Sequence, residues 1–307
     1  MSVELGLSVT SLHAVEDVRE GARRILERVR TARVAGLDSL FLGDHHATPR
    51  PYYQNVPMLG RALAEWDAGE GARTFGALFL LPLWHPVLLA EQVGTLASLG
   101  RGRFVLQCGL GAGARQFASL GTREVERVRR FEASLGILRR LFAGEAVDAP
   151  GEPWAIEGAR IAPTPPEPVA IWVGASADPA IERAARLGDG WIADPALDVA
   201  GSAERLQRYR RACMDAGRAP GRAVIRKDVL VAGNPEEARG RLEAVVAGGY
   251  RGFPPESLVA GDEAAVAGTL RAYGDAGFDS VLVRCMEAEQ SAALETLARL
   301  GRVRALL

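Results

Sequence analysis

Three segments decide the fold: Leu-Phe-Leu-Gly-Asp-His-His at Leu40–His46, Leu-Pro-Leu-Trp-His-Pro-Val at Leu81–Val87, and Gly-Arg-Phe-Val-Leu-Gln-Cys-Gly-Leu-Gly at Gly102–Gly111. Each is, or directly follows, a short apolar strand that runs into a polar or Gly-rich loop. Successive strand ends of this kind build an active site on one face of a parallel barrel. Outward from them, strands are expected at Val3–Val9, Ser39–Leu42, Thr74–Leu80, Phe104–Cys108, Ala170–Val173, Trp191–Ala193, Val224–Val231 and Ser280–Val283. Helical spacing fills the intervals at Val15–Ala35, Val56–Glu65, Val87–Leu99, Glu124–Phe142, Pro179–Leu187, Ala203–Ala216, Pro235–Ala247 and Glu263–Ala276, and a last helix covers Ala288–Leu306. In the first helix Val18, Ala22, Ile25, Val29 and Ala32 form one stripe, and Gly36 ends it.

Eight strands alternating with helices predict an α/β fold, a (β/α)8 TIM barrel with short insertions at the C-terminal rim. A doubly wound open sheet is the alternative. The regular rhythm argues for a single domain over 1–307. Two irregular connections break it. Ala143–Pro168 holds an apolar hairpin candidate at Trp154–Ile161, and Gly248–Gly261 combines Gly248-Gly249 with Pro254-Pro255. Both are candidate lids.

The 307 residues are 48% hydrophobic and 24% charged, with a net charge of −1, which allows a large core and gives no electrostatic support for nucleic-acid binding. Mixed-sign stretches such as Glu16–Arg33 read as solvated helix faces. Cys108, Cys213 and Cys285 are far apart and without Cys-x-x-Cys spacing, which fits a reducing cytoplasm better than a disulfide framework or a zinc site. Neither a signal peptide nor a membrane span is expected.

His45 follows strand two on the expected catalytic rim, where an imidazole can exchange a proton near neutral pH, with Asp44 or His46 to orient it. Capping of the following loop is the competing role. A metal site from His45, His46 and His85 is disfavoured, because adjacent side chains on an extended chain point apart. His85-Pro86 reads first as a helix entry, so His85 is expected to cap or pack. Gly109 and Gly111 follow strand four, where small residues let a flat ring or a phosphate come close. Gly174, Ala175 and Ser176 precede a helix whose start can bind an anion, with Ser176 or Asp178 as possible N-caps. Tyr52-Tyr53 and Trp84 either line an apolar pocket or pack under a rim loop, and the apolar bias around Tyr52, Trp84 and Phe117 suggests a hydrophobic organic substrate.

These pieces, in this order, resemble the luciferase-like monooxygenase family over nearly the whole chain. The resemblance rests on Gly36–His46, His85–Val87, Ala90–Gln92, Gly100–Phe104, Gln116–Gly121, Ile171–Ser176, Ala184–Trp191, Asn234–Glu237 and Ala276–Asp279. It implies a barrel that binds FMN or the deazaflavin coenzyme F420. It implies that His45 is the active-site histidine beside the ring, and that Ala77–Leu78 carries a non-prolyl cis peptide behind the ring, making Ala77 and Leu78 cofactor contacts. Gly109, Gly111, Gly174, Ala175 and Ser176 complete the implied cofactor site. Gln107 stands where many members have Gly, and Leu110 where the bacterial luciferase α chain has Arg. The histidine segments favour FMN, hence a monooxygenase supplied by a partner flavin reductase, acting with oxygen on a small organic substrate. The alternatives are an F420-dependent hydride-transfer enzyme, a non-catalytic flavin-binding homologue, and an unrelated barrel acting on a phosphorylated metabolite. The resemblance also implies a homodimer.

Overall fold

The computed structural model describes residues 3–151, 153–250 and 252–307. Met1 and Ser2 of the first strand-like run, Glu152 in the first irregular connection and Arg251 in the second lie outside the described residues. The strands are β1 Glu4–Val9, β2 Ser39–Leu42, β3 Thr74–Leu80, β4 Phe104–Gly109, β5 Val147–Ala149, β6 Ile156–Ala159, β7 Ala170–Gly174, β8 Gly190–Ala193, β9 Arg222–Val231, β10 Val259–Gly261 and β11 Ser280–Cys285. The helices are α1 Val18–Val34, α2 Asn55–Trp66, α3 Pro86–Leu99, α4 Ala114–Ser119, α5 Arg127–Phe142, α6 Asp178–Leu187, α7 Val199–Asp215, α8 Pro235–Ala247, α9 Glu263–Asp275 and α10 Gln290–Ala305.

The parallel order β9-β11-β1-β2-β3-β4-β7-β8 is closed by pairing of β8 with β9, giving a (β/α)8 TIM barrel. All eight expected strands are present. Sequence reading missed the short α4, which lies within a turn-rich stretch, and β5 and β10. β5 pairs antiparallel with β6, and β10 pairs with the C-terminal end of β9 through Val259↔Val229 and Gly261↔Val231.

Strand alternation sorts the side chains into two cores. Leu5, Leu40, Phe75, Leu106, Ile171, Trp191, Ile225 and Val281 face the helices. Phe41, Val105, Trp172, Val224 and Leu282 plug the barrel interior. Glycine makes room for the plug. A Cβ on Gly76 would lie 2.0 Å from the Val105 carbonyl oxygen, and one on Gly6 would lie 2.1 Å from Ser39 Oγ.

The N-terminal end of the barrel is stitched by a device used three times. Asp38, Asp189 and Asp279 each stand just before a strand. Their backbone N–H groups donate to Leu5, Ile171 and Ala223 carbonyls at 2.8, 2.7 and 2.9 Å. Their carboxylates accept from the N–H groups of those same residues at 2.9, 2.9 and 2.7 Å. The N–H of the second residue in each neighbouring strand is thereby satisfied.

The two irregular connections behave differently from one another. No described residue of 143–168 lines the cavity described below. This connection follows a helix, so it starts at the wrong end of the barrel for a lid. It packs outside instead: Trp154 Nε1 donates to Ser134 Oγ at 3.1 Å, and the Arg130 guanidinium lies 3.9 Å from its ring centre. The hairpin pairs β6 with β5, and Trp154 is in the loop rather than in a strand. In the second connection Tyr250 reaches the cavity, while 259–261 are tied down as β10.

The expected cis bond at Ala77–Leu78 is absent. Among the described residues the cis peptide is Ala162–Pro163. Ala77 and Leu78 sit inside an unbroken ladder, Ala77↔Leu106 and Leu78↔Gln107, which continues to Leu80↔Gly109. A trans backbone satisfies that ladder without the roughly 3 kcal/mol of a non-prolyl cis bond.

Candidate active site

A cavity of about 870 Å³ opens at the C-terminal end of the barrel, and all eight barrel strands or the loops that follow them contribute to it. This is the size of a site for a cofactor plus a small substrate. The interior plug forms its base. The next inward positions line it: Ser8, Leu78, Gln107, Gly174, Ile192, Arg226 and Arg284.

One wall comes from β3, β4 and β7. It presents Leu78, Leu80, Cys108, Gly109, Gly174, Ala175 and Ser176. Gly109 and Gly174 lack positive φ, and a Cβ on either would meet protein atoms only at ordinary contact distances, 3.6 Å or more. The backbone does not demand glycine there, so the missing side chains leave space in the chamber. Beyond Ser176, α6 begins at N-cap Ala177 with no side-chain cap bond. Neither Ser176 nor Asp178 serves as N-cap; Asp178 is paired with Arg205 and Arg208, both at 2.8 Å. Ala175 is fixed on both sides: its N–H donates to the Ile192 carbonyl at 3.2 Å, and its carbonyl accepts from Trp191 Nε1 at 2.8 Å.

Two expected cofactor residues do not reach the chamber. Ala77 is fully buried on the opposite face of β3, in the helix-facing core. Its neighbour Leu78 lines the cavity, as period-two alternation requires. Gly111 has φ +68° and packs toward Leu80 and Phe117, so it is a turn glycine outside the cavity. The Cys108 side chain faces the core and its Sγ donates to the Trp172 carbonyl at 3.5 Å. Burial pushes that thiol up, so it stays protonated.

His45 is exposed at the cavity rim, edge-on to Tyr52 with ring centres 5.6 Å apart. Its carbonyl accepts from Gln54 Nε2 at 3.1 Å. Asp44 does not orient it. The buried Asp44 carboxylate accepts from Leu80 N and Trp84 Nε1, both at 2.8 Å, and its other oxygen lies 3.0 Å from His46 Nε2. Asp44 and His46 thus brace the ends of β2 and β3 behind His45. His85 sits apart, edge-on to Trp154 at 5.2 Å, its pKa lowered by burial and then by Arg130. Of the expected pocket aromatics, only Tyr52 lines the cavity; Trp84 braces Asp44 and Phe117 is fully buried.

The opposite side of the cavity is the part that sequence reading missed. Arg24, Arg28 and Arg284 line it with Glu287, while Arg50 and Arg226, with the acids Asp44 and Asp194, line the stretches between it and the first wall. Arg28, within a stretch expected to be solvated, is only 3% exposed. His13 is also buried there. Its Nε2 donates to the Thr10 carbonyl at 3.1 Å, and burial, then the Arg28 charge, lowers its pKa to about 4. A signal existed for two of these arginines. Arg226 and Arg284 stand two residues beyond Val224 and Leu282 in apolar strands, which puts a charge on the inward face. Gln107 Nε2 and Thr10 Oγ1, both at the cavity, are buried without a hydrogen-bond partner.

A closed barrel with a ligand-sized chamber at its C-terminal mouth, a rim histidine and an open helix start has the architecture of a barrel enzyme. The model of the luciferase-like monooxygenase family matches residues 3–280, and the chain belongs to that family. Its relatives include the F420-dependent glucose-6-phosphate dehydrogenase of Nakamurella multipartita, 32% identical over 181 residues, or 56% of this chain and 52% of that protein. The match thus spans about half the length of this curated relative. Two solved structures share the fold. An F420-dependent secondary alcohol dehydrogenase in complex with an F420-acetone adduct superposes with TM-score 0.80 at 16% identity, over 99% of this chain and 98% of the other. The oxygenating constituent of 3,6-diketocamphane monooxygenase from Pseudomonas putida, in complex with FMN, gives 0.78 at 18% identity, over 98% and 97%. The family and its oxidoreductase relatives support an enzyme. Among the described residues no helix is long and apolar enough to cross a membrane.

Proposed function

We propose that this protein is a coenzyme F420-dependent oxidoreductase that moves a hydride between the deazaflavin and a hydroxyl- or carbonyl-bearing substrate. The observation that carries the reading is the likeness to F420-dependent glucose-6-phosphate dehydrogenases, at 32% identity over 56% of this chain. It favours F420 over FMN, the cofactor to which the histidine segments point. The site supports it on two counts. Gly109, Gly174 and Ala175, with Leu78 and Leu80, form a small-residue wall where a flat ring fits, and Ser176 with the uncapped start of α6 can meet a phosphodiester. Gln107 offers an unpartnered amide donor beneath that wall.

When bound, the deazaflavin accepts or returns a hydride and does not require oxygen. In the oxidative direction the substrate's C–H bond gives up a hydride as its O–H bond gives up a proton, and the carbon–oxygen bond becomes a carbonyl. His45, at the rim, takes that proton, and in reduction it returns one to the nascent alkoxide. Exposure of His45 and Arg50 leaves the mouth open to water. Hydride transfer tolerates this better than oxygen chemistry on a reduced flavin, which must be shielded.

An FMN monooxygenase, served by a separate flavin reductase, is the second reading. It is favoured by the apolar part of the lining, Leu78, Leu80, Ile192, Leu282 and Met286. Separate titrations with F420 and FMN, followed by fluorescence, test the choice. Saturable F420 binding, and loss of its absorbance on adding glucose 6-phosphate or another hydroxyl compound, is expected. Preference for FMN with reductase-coupled oxygen uptake overturns the proposal. Flavin binding without turnover across the panel favours the non-catalytic homologue, and no binding of either cofactor removes both enzymatic readings.

A further inference from the structure

Charge is distributed unevenly around the chamber. The β3–β4–β7 wall contributes neutral residues, while the side formed by β11, the loop after β1 and α1 carries Arg24, Arg28 and Arg284. Arg28 is the key member. Its Nε donates to Gln290 Oε1 at 2.9 Å and its terminal nitrogen to the Glu287 carbonyl at 3.5 Å, both neutral acceptors. The nearby acid is engaged elsewhere: the Glu287 carboxylate binds the Arg241 guanidinium and accepts from Thr296 Oγ1 at 2.7 Å. Among the described residues no carboxylate lies within ion-pair distance of Arg28.

A buried guanidinium held only by neutral oxygens is costly unless an anion completes it, and its planar fork suits two oxygens of one group. On the same lining, Thr10 Oγ1 is a buried hydroxyl without a partner, and His13 lies close enough for Arg28 to depress its basicity. His13 is therefore neutral near pH 7, and the nitrogen not bonded to Thr10 can only accept a hydrogen bond. The same lining thus holds charged and neutral donors together with one ring acceptor.

We propose that the α1–β11 side of the chamber is an anion subsite that holds the carboxylate or phosphate group of the substrate, with Arg28 as the main contact and Arg24 and Arg284 flanking it. This assignment rests on the proposed function only in giving the opposite wall to the cofactor. The substrate is then a small hydroxyl or carbonyl compound bearing an anionic group, rather than simply the hydrophobic organic molecule suggested by the aromatic residues of the sequence.

Calorimetric titration of the full chain with inorganic phosphate alone, and with acetate alone, tests the site; the stronger of the two identifies the anion class. Saturable binding of at least one is expected. Arg28→Gln should weaken it roughly thirtyfold or more, as for loss of a buried charged contact. Arg24→Gln, which disturbs a less buried side chain, should weaken it several-fold, and the surface variant Arg211→Gln should leave it unchanged. F420 affinity should stay within about threefold in all three variants. No saturable anion binding by the wild type, or equal binding by folded Arg28→Gln and Arg24→Gln, overturns the subsite. Joint loss of anion and F420 binding in Arg28→Gln overturns it as a substrate site, because Arg28 then holds the cofactor's own anion. Phosphate binding without F420 binding in the wild type leaves the subsite standing and removes the proposed function.

Discussion

The two sides of the chamber are built by opposite means. The β3–β4–β7 wall is made of side chains that are small or missing, and Gly109 and Gly174 contribute by leaving space. The α1–β11 wall is made of long charged side chains: Arg28, held by the neutral Gln290, Arg24, paired with Glu20 at 3.1 Å, and Arg284 from the last strand. A flat ring needs room, whereas a small polar substrate needs directed partners. The difference teaches that the first wall is sensitive to added volume and the second to lost charge.

The largest expected effect lies between the walls. His45→Ala should lower turnover roughly 10²- to 10⁴-fold, the usual contribution of one acid–base group, while F420 affinity stays nearly unchanged. Steady-state rates paired with a cofactor titration separate the two, and unaltered kcat would remove His45 from proton transfer.

Filling the neutral wall comes next. Gly109→Leu puts a side chain into the chamber at a position without backbone strain, where a Cβ meets Leu80 and Leu78 at 3.7 and 3.8 Å. Cofactor affinity should fall roughly 5- to 150-fold, the equivalent of about 1–3 kcal/mol of overpacking, with little change in Tm. If F420 affinity is kept, the ring lies elsewhere. Gly76→Ala should do the reverse. Its Cβ would meet the Val105 carbonyl oxygen at 2.0 Å in the plug, so stability should fall by about 1–3 kcal/mol. Denaturant unfolding measures it, and an unchanged midpoint would show that the plug yields.

The smallest effect belongs to the charged side. The His13 pKa is lowered from 6.5 to about 4 on folding, so the unfolded chain binds a proton that the folded protein refuses. Stability from this group is full above about pH 6.5 and is lost as pH falls toward 4. Between pH 7.5 and 5 it should account for about 1–2 kcal/mol. His13→Gln should flatten that part of the urea-unfolding profile, and an unchanged slope would mean that His13 is protonated without cost in the fold.

Most of the barrel was legible in the sequence, because hydrophobic period and helix-ending glycines are local signals. Gly36 and Gly277 take φ +80° and +102° at the ends of α1 and α9, and Asp38 and Asp279 follow two residues later to stitch the next strands. The site was legible in part. His45, Leu78, Gly109, Gly174, Ala175 and Ser176 all reach the chamber. Ala77 and Gly111 do not, because strand alternation turns one outward and a positive-φ turn carries the other past the mouth.

Arg28 shows where local reading stops. It stands three residues after Ile25 and next to Val29 on the buried stripe of α1, and a mixed-charge helix reads as solvated. Its actual surroundings come from Gln290 and Glu287, some 260 positions away. The sequence by itself determined the strand–helix rhythm, the family and the rim position of His45, since these depend on neighbours along the chain. Only the tertiary structure decided that Asp44 braces Trp84 rather than His45, that the 143–168 connection packs outside, and that three arginines share one side of the cavity. Those outcomes depend on closing the barrel, which brings the last strand beside the first and sets charges far apart in the chain around one space.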